Sequence, residues 1–186
     1  MEAIQKMNIQ RLAFWAGLFC ILLLYVTVVD TRLFEKRAAP PSGPKKIFPV
    51  SPAEINAIEI LAGMQQAVIS RRDDLWELSA PAQKTVTAEI LESFVGALLD
   101  AVVIKTVEEY PENLAAYELD NPRFTIRIFL RNASRPRILH LGKNSPSSVT
   151  MYALSESEHA VFLTGTYLRF SLQTFLGHVY NNSSTG

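Results

Sequence analysis

Residues 55–80, INAIEILAGMQQAVISRRDDLWELSA, decide the fold of this chain. Three short apolar runs in this stretch have the partial alternation of β-strands, and turn-forming residues separate them. Gly63 lies between the first two runs, and the pair Asp73-Asp74 lies between the second and the third. Connections this short join antiparallel neighbours, so the stretch predicts a three-stranded meander that ends at Pro81. The predicted strands are 55–61, 67–71 and 75–78.

After the meander, apolar residues recur at helical spacing up to Leu99, and Thr87 is the candidate N-cap of this helix. Further strands are predicted at 104–107, 124–130, 137–141, 150–154 and 160–164, with a short helical turn at 111–116 and a last helix at 167–178. Strands followed by a helix, then strands and a helix again, predict an α+β domain. We expect a mostly antiparallel sheet of short strands, packed with two main helices.

An uncharged apolar run precedes this domain. From Leu12 to Val29 the chain has 18 consecutive residues without a charge. A helix of this length would be ~27 Å long, close to the ~30 Å hydrocarbon core of a bilayer. Bulky residues end the run where a signal peptidase needs small ones, so a retained single-pass anchor is predicted. The predicted membrane-anchor residues are Leu12, Trp15, Leu18, Leu22, Tyr25 and Val29.

The apolar run divides the chain into five predicted segments. The stretch that follows it contains five prolines between residues 38 and 52, which predicts an extended, semi-rigid spacer. The segments are a short N-terminal tail (1–11), a transmembrane helix (12–29), a basic, proline-rich juxtamembrane linker (30–52), an extracytoplasmic α+β domain (53–178) and a polar C-terminal tail (179–186).

The net charge of zero conceals a division along the chain. Residues 1–52 hold seven Lys and Arg against three acids, a net charge of +4, and the remaining residues have a net charge of −4. An acidic domain argues against a protein that binds nucleic acid. The single cysteine, Cys20, excludes an intrachain disulfide and a multi-cysteine metal site. Positive charges on both sides of the anchor leave its topology open.

No residue pattern predicts catalysis, a cofactor or a metal site. His140, His159 and His178 lie in different parts of the chain without the spacing of metal ligands. Gly142-Lys143-Asn144-Ser145 is similar to the end of a phosphate loop but lacks the preceding glycines. A hydrolase would need a nucleophile and a base that lie close together in the folded protein, and spacing along the sequence alone does not reveal such a pair. We therefore predict a non-enzymatic protein with no cofactor.

A basic face on the predicted strand 124–130 is the candidate binding surface. Arg123, Arg127 and Arg131 recur every four residues, so all three project from one side of a strand, with Arg135 and Arg137 nearby. The planar fork of arginine suits carboxylates and phosphates. A solvated outer face of a sheet explains the same pattern without a partner. Arg123, Arg127, Arg131 and Arg137 are the candidate contacts with a partner or with lipid.

Several short landmarks follow one another along the chain. They are Ile55–Ile60, Trp76-Glu77-Leu78 with Pro81, Ile90–Leu99, Tyr117–Pro122, Leu139–Lys143, Tyr152 and Val161-Phe162-Leu163. In this order they resemble the bacterial family called "domain of unknown function 4340", over about residues 50–178. The family has Tyr-Gly-Leu where this chain has Tyr117-Glu118-Leu119. The sequence therefore leaves open whether this turn needs a left-handed residue.

The resemblance implies a single-pass protein of the bacterial cytoplasmic membrane, with its domain in the periplasm or outside the cell. It also implies an association with ABC-2-type transporters of the gliding-motility kind, and it supplies no catalytic residue. We expect an accessory subunit that forms a hetero-oligomer with an integral membrane protein complex and contacts lipids through its anchor. The alternative is a ligand-binding module that presents a small molecule or polysaccharide to a transporter.

Overall fold

The structure, a computed structural model, describes residues 18–19, 43–82 and 84–181. Its secondary structure confirms the α+β prediction, with eight strands and two main helices among the described residues. Single-turn 3-10 helices lie at Pro52–Glu54 and Leu114–Tyr117. The helices are α1 (Ala88–Leu99) and α2 (Tyr167–Asn181). The strands are β1 (Ile55–Ala62), β2 (Gln65–Arg72), β3 (Leu75–Ala80), β4 (Lys105–Glu108), β5 (Phe124–Leu130), β6 (Arg137–Asn144), β7 (Thr150–Ser155) and β8 (Ala160–Gly165).

All eight strands belong to one antiparallel sheet, in the order β3-β2-β1-β5-β6-β7-β8-β4. The predicted meander β1–β3 forms one side of the sheet. Its second turn contains Asp73 and Asp74, both with positive φ, as a two-residue type I′ turn requires. Strands β5–β8 form a second meander. The two meanders meet where β1 pairs with β5, with Ile58 opposite Ile128.

One face of the sheet carries the hydrophobic core. Alternate residues of the central strands are buried on this face, as the two-residue period of a strand dictates. Both helices pack on it, because buried residues of α1 and α2 belong to the same cluster as those of the strands. The fully buried strand residues on this face include Ile58, Ile60, Ile69, Ile126, Ile128, Leu139 and Leu141.

The helices also pack against each other. The rings of Phe94 in α1 and Phe175 in α2 are stacked, with their centroids 4.6 Å apart. At the end of α2, the hydroxyl of Tyr180 donates to the backbone carbonyl of Gln66 at 2.6 Å, which ties this helix to the β1–β2 hairpin. Thr87 precedes α1 as predicted, although its side chain makes no capping hydrogen bond.

The end of the predicted linker is part of the folded unit, which begins at Pro44. Lys46 forms an antiparallel bridge with Val102, and the buried Ile47 and Phe48 join the hydrophobic core. The prediction that the linker continues to residue 52 must therefore be corrected. Prolines dominate the composition of this stretch, but the two apolar residues among them gain free energy by leaving water.

The C-terminal boundary also differs from the predicted one. The last helix continues to Asn181, and Val179 is buried in the core. The predicted domain end at residue 178 is therefore slightly early, and residues 182–186 of the predicted tail lie outside the described residues.

The predicted anchor lies almost entirely outside the described residues. Leu18 and Phe19 are described, and both are helical and exposed. In the ranges that the structure describes, no helix is long and apolar enough to cross a membrane. The predicted anchor residues outside those ranges are Leu12, Trp15, Leu22, Tyr25 and Val29.

Candidate functional site

Arg127, from the predicted basic face, lies in the middle of β5 on the open face of the sheet, opposite the helices. Its Nη1 is 3.0 Å from Oε2 of Glu59 on the neighbouring strand β1. The side-chain amide of Gln66 donates to the other carboxylate oxygen of Glu59 at 2.6 Å. Because the side chain of Glu59 is only 14% exposed, the ion pair is partly shielded from water. Arg127 is therefore neutralised within the fold.

The other three candidate arginines lie elsewhere. Arg123 precedes β5 at one end of the sheet, and Arg131 follows β5 and is exposed. Arg137 is directly opposite Ile128, which is buried on the helix-covered face. Facing residues of an antiparallel pair share one face, so Arg137 belongs to the helix side and Arg127 to the open side. The four arginines do not form one surface.

Reversing the charge of Arg127 is expected to lower the free energy of unfolding by about 1 kcal/mol, because Arg127→Glu places two carboxylates at facing positions. The double variant Glu59→Arg/Arg127→Glu restores the attraction and should recover most of this loss. Urea unfolding of the full chain in neutral detergent measures both variants. Arg131→Glu is the control, since Arg131 has no ion-pair partner among the described residues. An equal loss in this control would contradict the assigned pairing.

A chain of three hydrogen-bonded side chains also lies on the open face. The hydroxyl of Thr125 is 3.0 Å from Nδ1 of His140, and Nε2 of His140 is 2.9 Å from Oε1 of Glu156. With its proton on Nε2, the imidazole donates to Glu156 and accepts from Thr125, so one tautomer satisfies both bonds. Sequence reasoning missed this group because its members are distant in the chain. Only the register of β5 and β6 places Thr125 opposite His140.

The order hydroxyl, imidazole, carboxylate is that of a hydrolytic triad. Thr125, however, is buried in a central strand between β1 and β6, where the strand's backbone N–H groups serve the sheet. An acyl-transfer site needs free N–H donors beside its nucleophile. We therefore interpret the three residues as a structural brace that fixes His140 between β5 and the turn after β7.

The segment around the second 3-10 helix covers part of the open face. Gly142 in β6 lies against it so closely that a Cβ atom would overlap the carbonyl oxygen of Tyr117 and approach the side chain of Leu119 to 3.1 Å. The ring of Tyr117 contacts that of Tyr152, with centroids 4.8 Å apart. The hydrogen bond that Tyr117 donates to Glu108, at 3.0 Å, raises the pKa of its phenol.

On the helical side, an open groove of about 500 Å³ runs between α1 and α2. The stacked Phe94 and Phe175 line it, together with Tyr167 and Phe170 from the first turn of α2. Tyr167 is 41% exposed and Phe170 is 57% exposed. Partial burial raises the pKa of Tyr167, and the charge of Asp100 raises it further. The other lining residues are Glu89, Ile90, Ser93, Ser171, Thr174 and His178.

Within the described ranges, no group of three or more His, Cys, Asp and Glu side chains could hold a metal ion. The histidines lie on separate elements: His140 in β6, His159 in the turn before β8, and His178 in α2.

A model of a known protein family matches residues 76–178, which is more than half of the chain. This chain belongs to the DUF4340 family. The family's description is "domain of unknown function", so membership confirms the resemblance and assigns no reaction, ligand or partner. No curated protein and no solved structure matches the chain.

The DUF4340 match begins in β3 and ends in α2. It includes every residue that lines the helical groove, from Glu89 to His178. The brace of Thr125, His140 and Glu156 also lies within it, whereas Glu59, the partner of Arg127, precedes it. The groove is therefore a feature of the DUF4340 part of the chain.

Proposed function

We propose that this DUF4340 protein is a non-enzymatic, single-pass accessory subunit of a larger membrane complex, for example an ABC-2-type transporter. Residues 12–29 anchor the chain in the bacterial cytoplasmic membrane, and the α+β domain lies in the periplasm or outside the cell. The 18-residue run without a charge supports the anchor. The α+β domain supplies the docking surface.

The observation that carries the proposal is the exposure of aromatic side chains at the mouth of the helical groove. Phe170 is 57% exposed, whereas Phe175 on the same helix is only 1% exposed. Fully burying a phenylalanine is worth about 1.5–3 kcal/mol, so a partner that covers Phe170 gains part of this free energy. Grouped exposed apolar residues with a polar rim are typical of sites that bind another protein.

The chemistry of the groove favours the apolar face of an amphipathic helix from a partner subunit. Its floor is apolar, and its rim carries the hydroxyl groups of Ser93, Ser171 and Thr174, in the usual arrangement of a protein interface. Glu89 adds a negative charge in the first turn of α1. A partner helix with Lys or Arg beside its apolar face would complement that charge.

Phe170→Glu is expected to lower copurification of the partner at least tenfold, because it places a charge in the apolar groove. The tagged full chain is extracted from its native membrane in neutral detergent, and partners are quantified by mass spectrometry. A photo-crosslinking residue at position 170 should label an integral membrane protein in stoichiometric amount. Tyr110→Glu is the matched control, because Tyr110 is 81% exposed and lies outside the groove.

Full retention of the partner in Phe170→Glu, or the same loss in Tyr110→Glu, contradicts docking through the groove.

A ligand-binding module is the second candidate, because a volume of about 500 Å³ lies in the range of small-molecule sites. A monomer that carries a small molecule or polysaccharide fragment in native mass spectrometry, and loses it in Phe170→Glu, would favour this second function.

A further inference from the structure

A second cavity lies at the end of the sheet where β5 begins and β6 ends. Antiparallel neighbours place the start of one strand beside the end of the other, and the register therefore places Arg123 near the residues that follow Leu141. α2 also begins at this end, directly after β8. The cavity has a volume of about 220 Å³ and is lined by Glu118, Arg123, Gly142, Lys143, Asn144 and Arg169.

Positive charge dominates the lining of this cavity. Arg123, Lys143 and Arg169 contribute three cations, and Glu118 contributes one anion. Arg169 lies in the first turn of α2, where the helix dipole adds partial positive charge. The lining therefore has an excess of two positive charges, whereas the domain as a whole has a negative net charge. The charge of this cavity is thus opposite in sign to that of the domain.

Two polar atoms of the lining lack partners. Among the described residues, Nε of Arg169 and Oδ1 of Asn144 are shielded from water and form no hydrogen bond. Such atoms destabilise a fold unless something satisfies them. A bound oxyanion would supply an acceptor to Arg169. The amide of Asn144 can turn by half a rotation and present its NH₂ group to the same anion.

Glu118 shows that a negative group is already favoured at this site. Its φ of 55° is left-handed, so the turn does require the conformation that glycine adopts most easily. Its carboxylate lies 3.8 Å from Nε of Arg123, which is within ion-pair range but longer than a hydrogen bond. A stronger oxyanion can therefore compete for this guanidinium.

We propose that this cavity binds a phosphate group. Two arginine forks and one lysine are a common set of phosphate ligands in proteins. A phosphate monoester carries about −1.5 to −2 charges at pH 7, which matches the excess of positive charge. The phosphate belongs either to a soluble molecule or to a lipid headgroup. The guanidinium of Arg169 lies 5.4 Å from the ring centroid of Phe170, so this site is next to the helical groove. The two sites share no lining residue, and phosphate binding does not depend on the docking function.

Inorganic phosphate at 10 mM is expected to raise the Tm of the full chain in neutral detergent by about 3 °C over chloride at equal ionic strength, for a millimolar Kd. Lys143→Gln/Arg169→Gln should weaken phosphate binding at least tenfold and abolish the shift. Glu118→Gln removes the competing carboxylate and should tighten binding several-fold, a gain that a purely structural role would not produce. Arg131→Gln, at an exposed arginine outside the cavity, should bind as the parent does.

Micelles containing dioleoyl phosphatidic acid, compared with dioleoyl phosphatidylcholine, distinguish the two sources. A shift with phosphatidic acid but not with inorganic phosphate assigns the site to a lipid phosphomonoester, and a shift with inorganic phosphate assigns it to a soluble phosphate. The absence of a shift with either probe, or an undiminished shift in Lys143→Gln/Arg169→Gln, overturns the proposal. The Tm of each variant in chloride shows that it is folded. Thr174→Glu, at an exposed residue that lines the groove but not the cavity, should retain the phosphate shift, so the two proposals fail separately.

Discussion

Phe175→Ala is expected to lower the free energy of unfolding by about 3–5 kcal/mol, the usual cost of truncating a buried phenylalanine. Phe175 is 1% exposed and stacks on Phe94, so its removal leaves a cavity between the two helices. Both helices must keep their positions on the sheet, which limits how far they can move to fill it. Urea unfolding of the full chain in neutral detergent, followed by circular dichroism, measures the loss.

Phe170→Ala is the control for this prediction, since it removes the same side chain from the same helix at an exposed position. We expect it to cost less than about 1 kcal/mol, as is usual for surface substitutions. Equal losses in the two variants would show that Phe175 does not hold the helices together. The pair also separates stability from docking, because Phe170 is assigned to the partner and Phe175 to the core.

Gly142→Ala is expected to cost about 2 kcal/mol, in the range for inserting an atom into a packed region. Its Cβ would overlap the carbonyl oxygen of Tyr117 and press on Leu119. A backbone oxygen cannot rotate away as a side chain can, so the whole segment before Leu119 must shift from the sheet. The same urea measurement detects the effect, together with a fall in the protection of this segment from hydrogen exchange.

Gly96→Ala provides the matched control on the helical side. Apart from the two neighbouring residues and the backbone of the helix itself, no atom lies within 4 Å of a Cβ built at Gly96. Alanine is favoured over glycine in a helix by up to about 1 kcal/mol. This variant should therefore be neutral or more stable than the parent. A destabilisation as large as that of Gly142→Ala would mean that glycine content, and not the contact with Tyr117, determines the loss.

Much of the fold could be predicted because its signals are local. The apolar residues Phe124, Ile126, Ile128 and Leu130 occupy every second position, which predicts a strand with the bounds that β5 has in the structure. The turn residues Asp73 and Asp74 likewise predict the hairpin that they form. Errors concentrate at element ends, where tertiary contacts decide. β6 continues past its predicted end at Leu141 to Asn144, because Asn144 pairs with Met151 after a register shift.

The pairing of β1 with β5 could not be predicted, because neither strand has a sequence feature that identifies the strand with which it pairs. The packing of Ile47 and Phe48 in the core was also not predicted, because the prolines around them indicate an extended spacer. Composition describes the average behaviour of such a stretch, whereas two buried side chains are enough to fix its position.

The candidate sites show the same limit more strongly. Alternation correctly predicts that Arg127 projects from one side of β5, but its ion pair with Glu59 depends on the pairing of two strands that are distant in the chain. Arg137 lies on the other face because of the hairpin register. The groove and the phosphate cavity each combine residues of several elements. Two features of the phosphate cavity gave a signal in advance: Arg123 belongs to the predicted basic face, and Gly142-Lys143-Asn144 is similar to the end of a phosphate loop.

The pairing of β1 with β5 also determines when β1 can complete its hydrogen bonds during synthesis of the chain. β1 leaves the ribosome long before β5, so its hydrogen-bonding edge stays unpaired until residue 130 has been made. The core cluster that contains Ile58 and Ile60 also stays incomplete until the last helix emerges. Nascent chains held at this stage can pair with one another through that edge. Overproduction should therefore be limited first by association of incomplete chains, even though the finished sheet has this edge closed.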